Sequence, residues 1–212
     1  MRATPDYTKY DDILDWGSCK VRQTRWAKDK KPYLEYTRKM PGSSAERHAL
    51  YEYAKIANGV IVELGTLYGA GAVTMAYGLH EAGGGQMYCV DNFGQRNPNC
   101  AYDDIGDAST VAIMTEYFKR FPTTALNLCQ GDTAEWASKI DPKVDLLFID
   151  ADHTYVSCKR DFVAWSPKVK RGGLIAFHDA QFTGVNQVIS ELTPDFSLVE
   201  QIFSLKIFRK TV

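Results

Sequence analysis

From residue 43 to the C-terminus, short apolar runs alternate with stretches whose apolar positions recur every three or four residues. The runs at residues 59–64, 86–90, 125–129, 146–149 and 173–177 read as strands. Residues 70–79, 107–120, 133–140, 155–165 and 185–192 read as the helices between and after them, with stops at Pro122 and Ser166-Pro167. Upstream, Pro41-Gly42-Ser43-Ser44 supplies a turn and an N-cap candidate. The spacing of Ala45, Ala49, Tyr53 and Ile56 after it predicts a helix with those four residues on its core side. Residues 196–202 and 205–209 predict a closing antiparallel pair. Strands separated by helices of this length require βαβ crossovers. The expectation is an α/β domain over residues 43–212, with a mostly parallel sheet covered on both faces. Residues 1–42 lack a clean period and predict an N-terminal arm or cap, helical near residues 11–16 and 28–39.

Composition changes this picture little. A chain of 212 residues with 45% hydrophobic and 24% charged side chains suits one sizeable core. The net charge of -1 carries no global nucleic-acid signature. Locally, nine Lys or Arg stand against three Asp or Glu between Lys20 and Arg47, a basic excess that reads as a solvated face or a site for an anionic partner. The five Cys are scattered without a C-x-x-C pair, as expected of reduced thiols. No apolar run is long enough for a bilayer, and the first twenty residues hold four Asp and no signal-like core. A cytoplasmic protein without a membrane partner is the expectation.

Candidate chemistry follows from the rule that ligands bind beyond the carboxyl ends of parallel strands. The first strand ends in Glu63-Leu64-Gly65-Thr66-Leu67-Tyr68-Gly69. Gly65 and Gly69 permit a tight turn and close backbone approach, but the spacing departs from G-x-G-x-x-G and lacks a phosphate-loop Lys. Asp91 and Asn92 end the second strand, where a carboxylate suits ribose hydroxyls; a turn explains them equally. Asp132 follows the third strand and reads as an acceptor or as a plain helix cap. The fourth strand runs into Asp150-Ala151-Asp152-His153-Thr154-Tyr155, and the fifth into His178-Asp179. Two carboxylates and an imidazole on adjacent strands suit one divalent cation at Asp150, His178 and Asp179; helix caps and a loop hydrogen bond are the bland alternative. His153, just outside the strand, has the chemistry of a general base, with Asp152 a candidate to orient it. Tyr155, His48 and His80 read as packing or surface residues.

The segment Val60-Ile-Val-Glu-Leu-Gly-Thr-Leu-Tyr-Gly resembles motif I of the class I S-adenosylmethionine-dependent methyltransferases, and the order of elements over residues 43–212 resembles that Rossmann-like fold. More narrowly, "FIDADHTY" and "GGLIAFHD" resemble the catechol and caffeoyl-coenzyme A O-methyltransferases and the antibiotic-sugar tailoring enzymes. The resemblance implies a seven-stranded sheet with a C-terminal antiparallel hairpin. It implies S-adenosylmethionine held by Glu63, Gly65, Thr66, Tyr68, Gly69, Asp91, Asn92, Asp132 and Asp150. It also implies a divalent metal, Mg or Mn, on Asp150, His178 and Asp179, and a homodimer is common among such enzymes. Two departures stand out. The second strand-end pair is His178-Asp179 where catechol-type enzymes carry Asp-Asn, and the family's catalytic lysine falls on His153.

The expected reaction is methyl transfer to a hydroxyl of a phenolic or sugar-like small molecule, neutral or anionic, with Asp150 and His153 catalytic. Trp16, Trp26, Tyr33 and Tyr36 of the arm are candidates to roof the acceptor; Arg22, Arg25, Lys28, Lys30 and Lys31 are candidates to meet its charge; residues 93–107 suit a lid. A metal-independent O- or N-methyltransferase with a His base is the alternative. A nicotinamide oxidoreductase is disfavoured by the glycine spacing. A non-catalytic nucleotide or nucleic-acid binding module lacks any recognised nucleic-acid motif.

Overall fold

The structure is a computed structural model describing residues 43–67, 69–93, 111, 114, 115 and 118–212. The expected arm at 1–42, Tyr68 and most of the 93–107 insert lie outside the described residues. Of the helix expected over 107–120, six residues are described: Val111, Met114, Thr115 and Phe118 are helical, and Lys119 and Arg120 form a turn.

The chain runs α1 (Ser43–Ala57), β1 (Val60–Leu64), α2 (Ala70–Glu81), β2 (Gly85–Asp91), β3 (Thr124–Gln130), β4 (Val144–Ile149), α3 (Tyr155–Trp165), β5 (Val169–Phe177), α4 (Thr183–Ser190), β6 (Phe196–Ile202) and β7 (Leu205–Lys210). Seven strands form one sheet in the order β3-β2-β1-β4-β5-β7-β6. The first five named are parallel, and β7 pairs antiparallel with both β5 and β6. The strand order reverses between β1 and β4, the place where an open α/β sheet leaves a crevice.

Strands buried on both faces need near-continuous apolar residues, and β1 and β4 have them apart from Glu63 and Asp145. Ile61, Leu146 and Phe148 face a core shared with α1 and α2, whereas Val62, Leu64, Leu147 and Ile149 face a core shared with α3 and α4. On the second side Trp165 is fully enclosed, and its indole N–H donates to the Thr133 carbonyl at 2.8 Å.

Register sets the edge on which the site is built. Leu64 pairs with Val90 and with Ile149, Ile149 with Phe177, and Asp91 with Gln130, so the parallel strands finish level. The ladder continues one residue further. Gly65 N–H donates to Val90 O, Asp150 N–H to Leu64 O, His178 N–H to Ile149 O and Gly131 N–H to Asp91 O, at 2.9–3.1 Å.

Three expectations are corrected. Ile56 is 61% exposed, because the buried stripe of α1 runs through Glu46, Ala49, Leu50, Tyr53 and Ala54, one step round the helix from the expected set. The helix expected at 133–140 is only a 3₁₀ turn over Glu135–Ser138. There Asp132 caps the Ala134 and Glu135 amides, and Asp141-Pro142 ends the segment before an α-helix can propagate. The last helix starts two residues earlier than expected, at Thr183, and stops at Ser190 ahead of Pro194. β5 begins at Val169, but its pairing with β4 is irregular: Val144 meets Val169 and Leu146 meets Leu174, so the Lys170–Gly173 stretch bulges out.

The corrected face of α1 makes a testable contrast. Leu50→Ala, at a position 4% exposed, is expected to cost about 2–5 kcal/mol. Ile56→Ala is expected to stay within about 0.5 kcal/mol of the parent. Urea unfolding of both variants checks the assignment, and the reverse ranking would show that the helix is turned as first expected.

Candidate active site

The loop after β1 is shaped by positive φ at Gly65 (84°), Leu67 (48°) and Gly69 (79°). At Gly65 a side chain is doubly excluded, since a Cβ would also stand 2.3 Å from the Asp150 carbonyl oxygen. Loop and β4 terminus are thus in direct backbone contact. The loop is braced from the other side by Asp91. This buried carboxylate accepts the Thr66 and Leu67 amides on Oδ2 at 2.8 and 2.9 Å, and the Phe93 amide on Oδ1 at 2.9 Å. Asn92 beside it contributes its carbonyl to the Gln130 side-chain amide.

Below the loop, Glu63 is enclosed, and burial pushes its carboxyl well above the usual carboxylate range. The neighbouring Thr66 hydroxyl pulls the other way, while Asp150 and Asp91 add repulsion. Glu63 Oε2 and Thr66 Oγ1 are buried without a hydrogen-bond partner among the described residues. Such orphaned polar atoms are uncommon in a finished interior.

Asp132 stands beyond β3, on the same edge. Its Oδ1 accepts the Ala134 and Glu135 amides, and the carboxylate forms a two-point ion pair with Arg160 at 2.7 and 2.8 Å. The arrangement is that of a helix-type cap.

The groups at the ends of β4 and β5 converge. His178 Nδ1 lies 3.0 Å from Asp150 Oδ1 and 3.3 Å from Asp179 Oδ2. His153 Nε2 lies 3.1 Å from Asp179 Oδ2 and 3.8 Å from Asp150 Oδ1. That nitrogen is buried yet makes no hydrogen bond of good geometry, so the two oxygens approach it off its N–H direction. Ligand atoms of Asp150, His153 and Asp179 lie within 4.8 Å of one another, close enough to share one metal ion. Asp179 has φ 52°, in the left-handed region that Asp tolerates better than most residues, and its Oδ1 accepts from the Gln181 side chain at 2.9 Å. Asp152 does not orient His153; its Oδ1 accepts the Thr154 amide at 2.7 Å in the turn that starts α3. Phe182 stacks on the His153 ring at 5.0 Å, and Phe148 meets His178 edge-on at 6.1 Å.

Electrostatics follow from this crowding. Close approach of the Asp150 and Asp179 carboxylates lifts the His153 imidazole to about 9, against partial burial. Burial opposes the charged form of His178, but Asp150, Asp179 and Glu46 outweigh it and push the ring up to about 12. Burial would raise Asp179, yet His153 and His178 bring it well below the usual range. Three members of the neighbourhood escaped the sequence reading. Glu46 of α1 lies 3.5 Å from His178 Nε2, Ser204 binds Glu46, and Phe182 covers His153. No local spacing marks Glu46 or Ser204 as members of one site, because they meet only through the fold.

With fold and geometry established, comparison with known proteins identifies the class. Residues 62–180 match the family model described as a methyltransferase domain. That is more than half of the 212 residues, and the chain belongs to this family. Solved structures share the fold at low identity. CalS11, a calicheamicin methyltransferase, is 15% identical with TM-score 0.61, covering 97% of this chain and 94% of that one. An O-methyltransferase from Bacillus cereus, solved in complex with SAH, is 15% identical with TM-score 0.63, covering 96% of both chains. An rRNA methylase from Streptococcus thermophilus is 11% identical with TM-score 0.57, covering 78% of this chain and 96% of that one. The sheet and its closing hairpin are those of a Rossmann-like class I methyltransferase. No described helix is long and apolar enough to cross a membrane.

The raised pKa of His153 sets a pH dependence. Free imidazole titrates near 6.5 and the folded group near 9, so its contacts with Asp150 and Asp179 stabilise fully below pH 6.5 and are lost as pH rises through about 9. Chelator-treated protein is therefore expected to lose thermal stability across that interval, and His153→Gln should flatten this part of the Tm–pH curve. An unchanged slope in the variant would assign the transition to another group.

Proposed function

We propose that this protein transfers a methyl group from S-adenosylmethionine to a hydroxyl of a small phenolic or sugar-like molecule, assisted by a divalent cation. The observation that carries the reading is the direct junction of the Gly65 loop with the end of β4, which sets a nucleotide-sized loop against a carboxylate–imidazole cluster.

The residues present fit both groups. Around the sulfonium nucleoside, Gly65 and Gly69 shape the loop, and Glu63 and Thr66 contribute the unpartnered buried oxygens beneath it. Tyr68, also expected to hold it, lies outside the described residues, and Asp150 adjoins the loop from the end of β4. Asp91 holds the loop and keeps acceptor capacity on Oδ1, which has one protein donor where two fit. Asn92 flanks it. Asp132, expected near the adenine, is already committed to two amides and Arg160, so its part is to hold that edge. For the cation, Asp150 and Asp179 supply hard oxygens and His178 Nδ1 lies against both, a donor set that suits Mn²⁺ at least as well as Mg²⁺. When bound, the cation supplies the charge that polarises the hydroxyl and displaces protons from the imidazoles, and S-adenosylmethionine supplies an activated methyl group.

The chain's own contribution is alignment and proton removal. His153, neutral once the surrounding negative charge is offset, accepts the hydroxyl proton on the ring nitrogen that does not face the carboxylates. Asp179, 3.1 Å away, steadies the resulting imidazolium. Phe182 holds the ring by stacking and presents an apolar surface beside it, being about half exposed.

Calorimetry with S-adenosylhomocysteine tests the first half of this reading, with binding expected for the parent and for His153→Ala. Turnover of a hydroxyl acceptor found by screening should fall about 10²–10⁴-fold in His153→Ala. Absence of nucleoside binding by the parent, or undiminished turnover in the variant, would overturn the assignment.

A second reading makes His153 itself a metal ligand, since its Nε2 shares one neighbourhood with Asp150 and Asp179. Mn²⁺ titration followed by electron paramagnetic resonance separates the two. The first reading expects binding to survive His153→Ala and to fail in His178→Ala; the opposite pattern would move the base role away from His153.

A further inference from the structure

Glu46 is a buried carboxylate in the first turn of α1, three residues after Ser43. An acid at that spacing commonly turns back to cap its own helix. Here the carboxylate points elsewhere. Its Oε1 accepts the Ser204 amide at 2.7 Å and the Ser204 hydroxyl at 2.6 Å, and its Oε2 lies 3.5 Å from His178 Nε2. Ser204, between β6 and β7, uses its third backbone-side group as well: its carbonyl accepts the Ala180 amide at 2.9 Å, next to Asp179. The contacts form a closed circuit from Glu46 through Ser204 and Ala180 to Asp179, then through His178 back to Glu46.

Helix docking does not require this charge. Ala49, Leu50 and Ala54 bury the apolar stripe of α1, and the Tyr53 hydroxyl donates to Glu200 at 2.7 Å, which already fastens α1 to β6. Burying a carboxylate is costly unless specific partners offset it. The partners are Ser204 and His178. Burial would raise the Glu46 carboxyl, yet these two bring it below its ordinary value.

A ring gripped at one nitrogen has its other nitrogen aimed, the relation seen where a carboxylate orients a metal-bound histidine. We propose that Glu46 is a positioning residue for His178: anchored by Ser204, its carboxylate holds the Nε2 edge of the ring so that Nδ1 faces Asp150 and Asp179. The consequence for metal binding rests on the reading of Asp150, His178 and Asp179 given above, whereas the orientation of the ring does not.

The test uses the full-length protein and the variants Glu46→Gln and Ser204→Ala, with two readouts. In the ligand-free protein, the ring ¹⁵N signals of His178 are expected to move in Glu46→Gln and, by less, in Ser204→Ala, while those of His80 stay in place. Mn²⁺ affinity, measured by electron paramagnetic resonance, is expected to drop about 10–100-fold in Glu46→Gln, as for loss of an outer partner of a ligand. A purely structural role would lower Tm without moving either readout. If Glu46→Gln does not fold, Ser204→Ala, which removes one hydroxyl, carries the ring measurement. His178 signals at their parent positions in the folded variants would overturn the proposal. If the parent itself does not take up Mn²⁺, the metal part of the functional reading falls, and the ring signals still decide the role of Glu46.

Discussion

Parallel strands that stop at one level are the constraint on which the rest of this molecule depends. The pairings of Leu64 with Val90 and Ile149, and of Ile149 with Phe177, place four chain exits side by side. A one-residue slip in any of them would exchange the two faces of a strand and withdraw its terminal acid from the edge. The two apolar cores, one on each face, oppose such a slip. Register is therefore specified by burial, and the edge chemistry inherits that precision at no cost of its own.

On this edge two carboxylates play opposite parts. Asp91 is occupied by three backbone amides and shapes a loop. Asp150 is hydrogen-bonded to His178 Nδ1 at 3.0 Å, while His153 Nε2 stands off at 3.8 Å. The cluster of Glu46, Asp150 and Asp179 with His153 and His178 is nearly self-neutralised when both rings are protonated. A dication entering between Asp150 and Asp179 would compete with those protons, so metal uptake and imidazole protonation are linked by the same two carboxylates. On the proposed function, this linkage is how a histidine held near 9 becomes available as a base.

Much of the fold is legible in the sequence because its strands are short, apolar and bounded by glycine or proline. The helix at residues 155–165 is visible because Thr154 supplies a cap and Ser166-Pro167 a stop. Asp150, His178 and Asp179 are visible because a buried strand has no use for polar endings. What stays hidden depends on long-range contacts. The face of α1 is misjudged because Ile56 continues an apolar spacing that the sheet does not meet. The turn at Glu135–Ser138 has helical composition, but Asp132 and Pro142 leave too little room. Glu46 carries no local signal at all: its carboxylate finds Ser204 across 158 positions of sequence.

That last separation bears on how the protein comes into being. During synthesis the loop-forming strands β1, β2 and β4 emerge well before the β6–β7 turn, so a nascent chain can assemble its glycine-loop half while the histidine half still lacks its anchor. The β6–β7 hairpin thus supplies a contact that forms late in chain order. Without Ser204, Glu46 would lose the amide and the hydroxyl that fix its carboxylate beside His178.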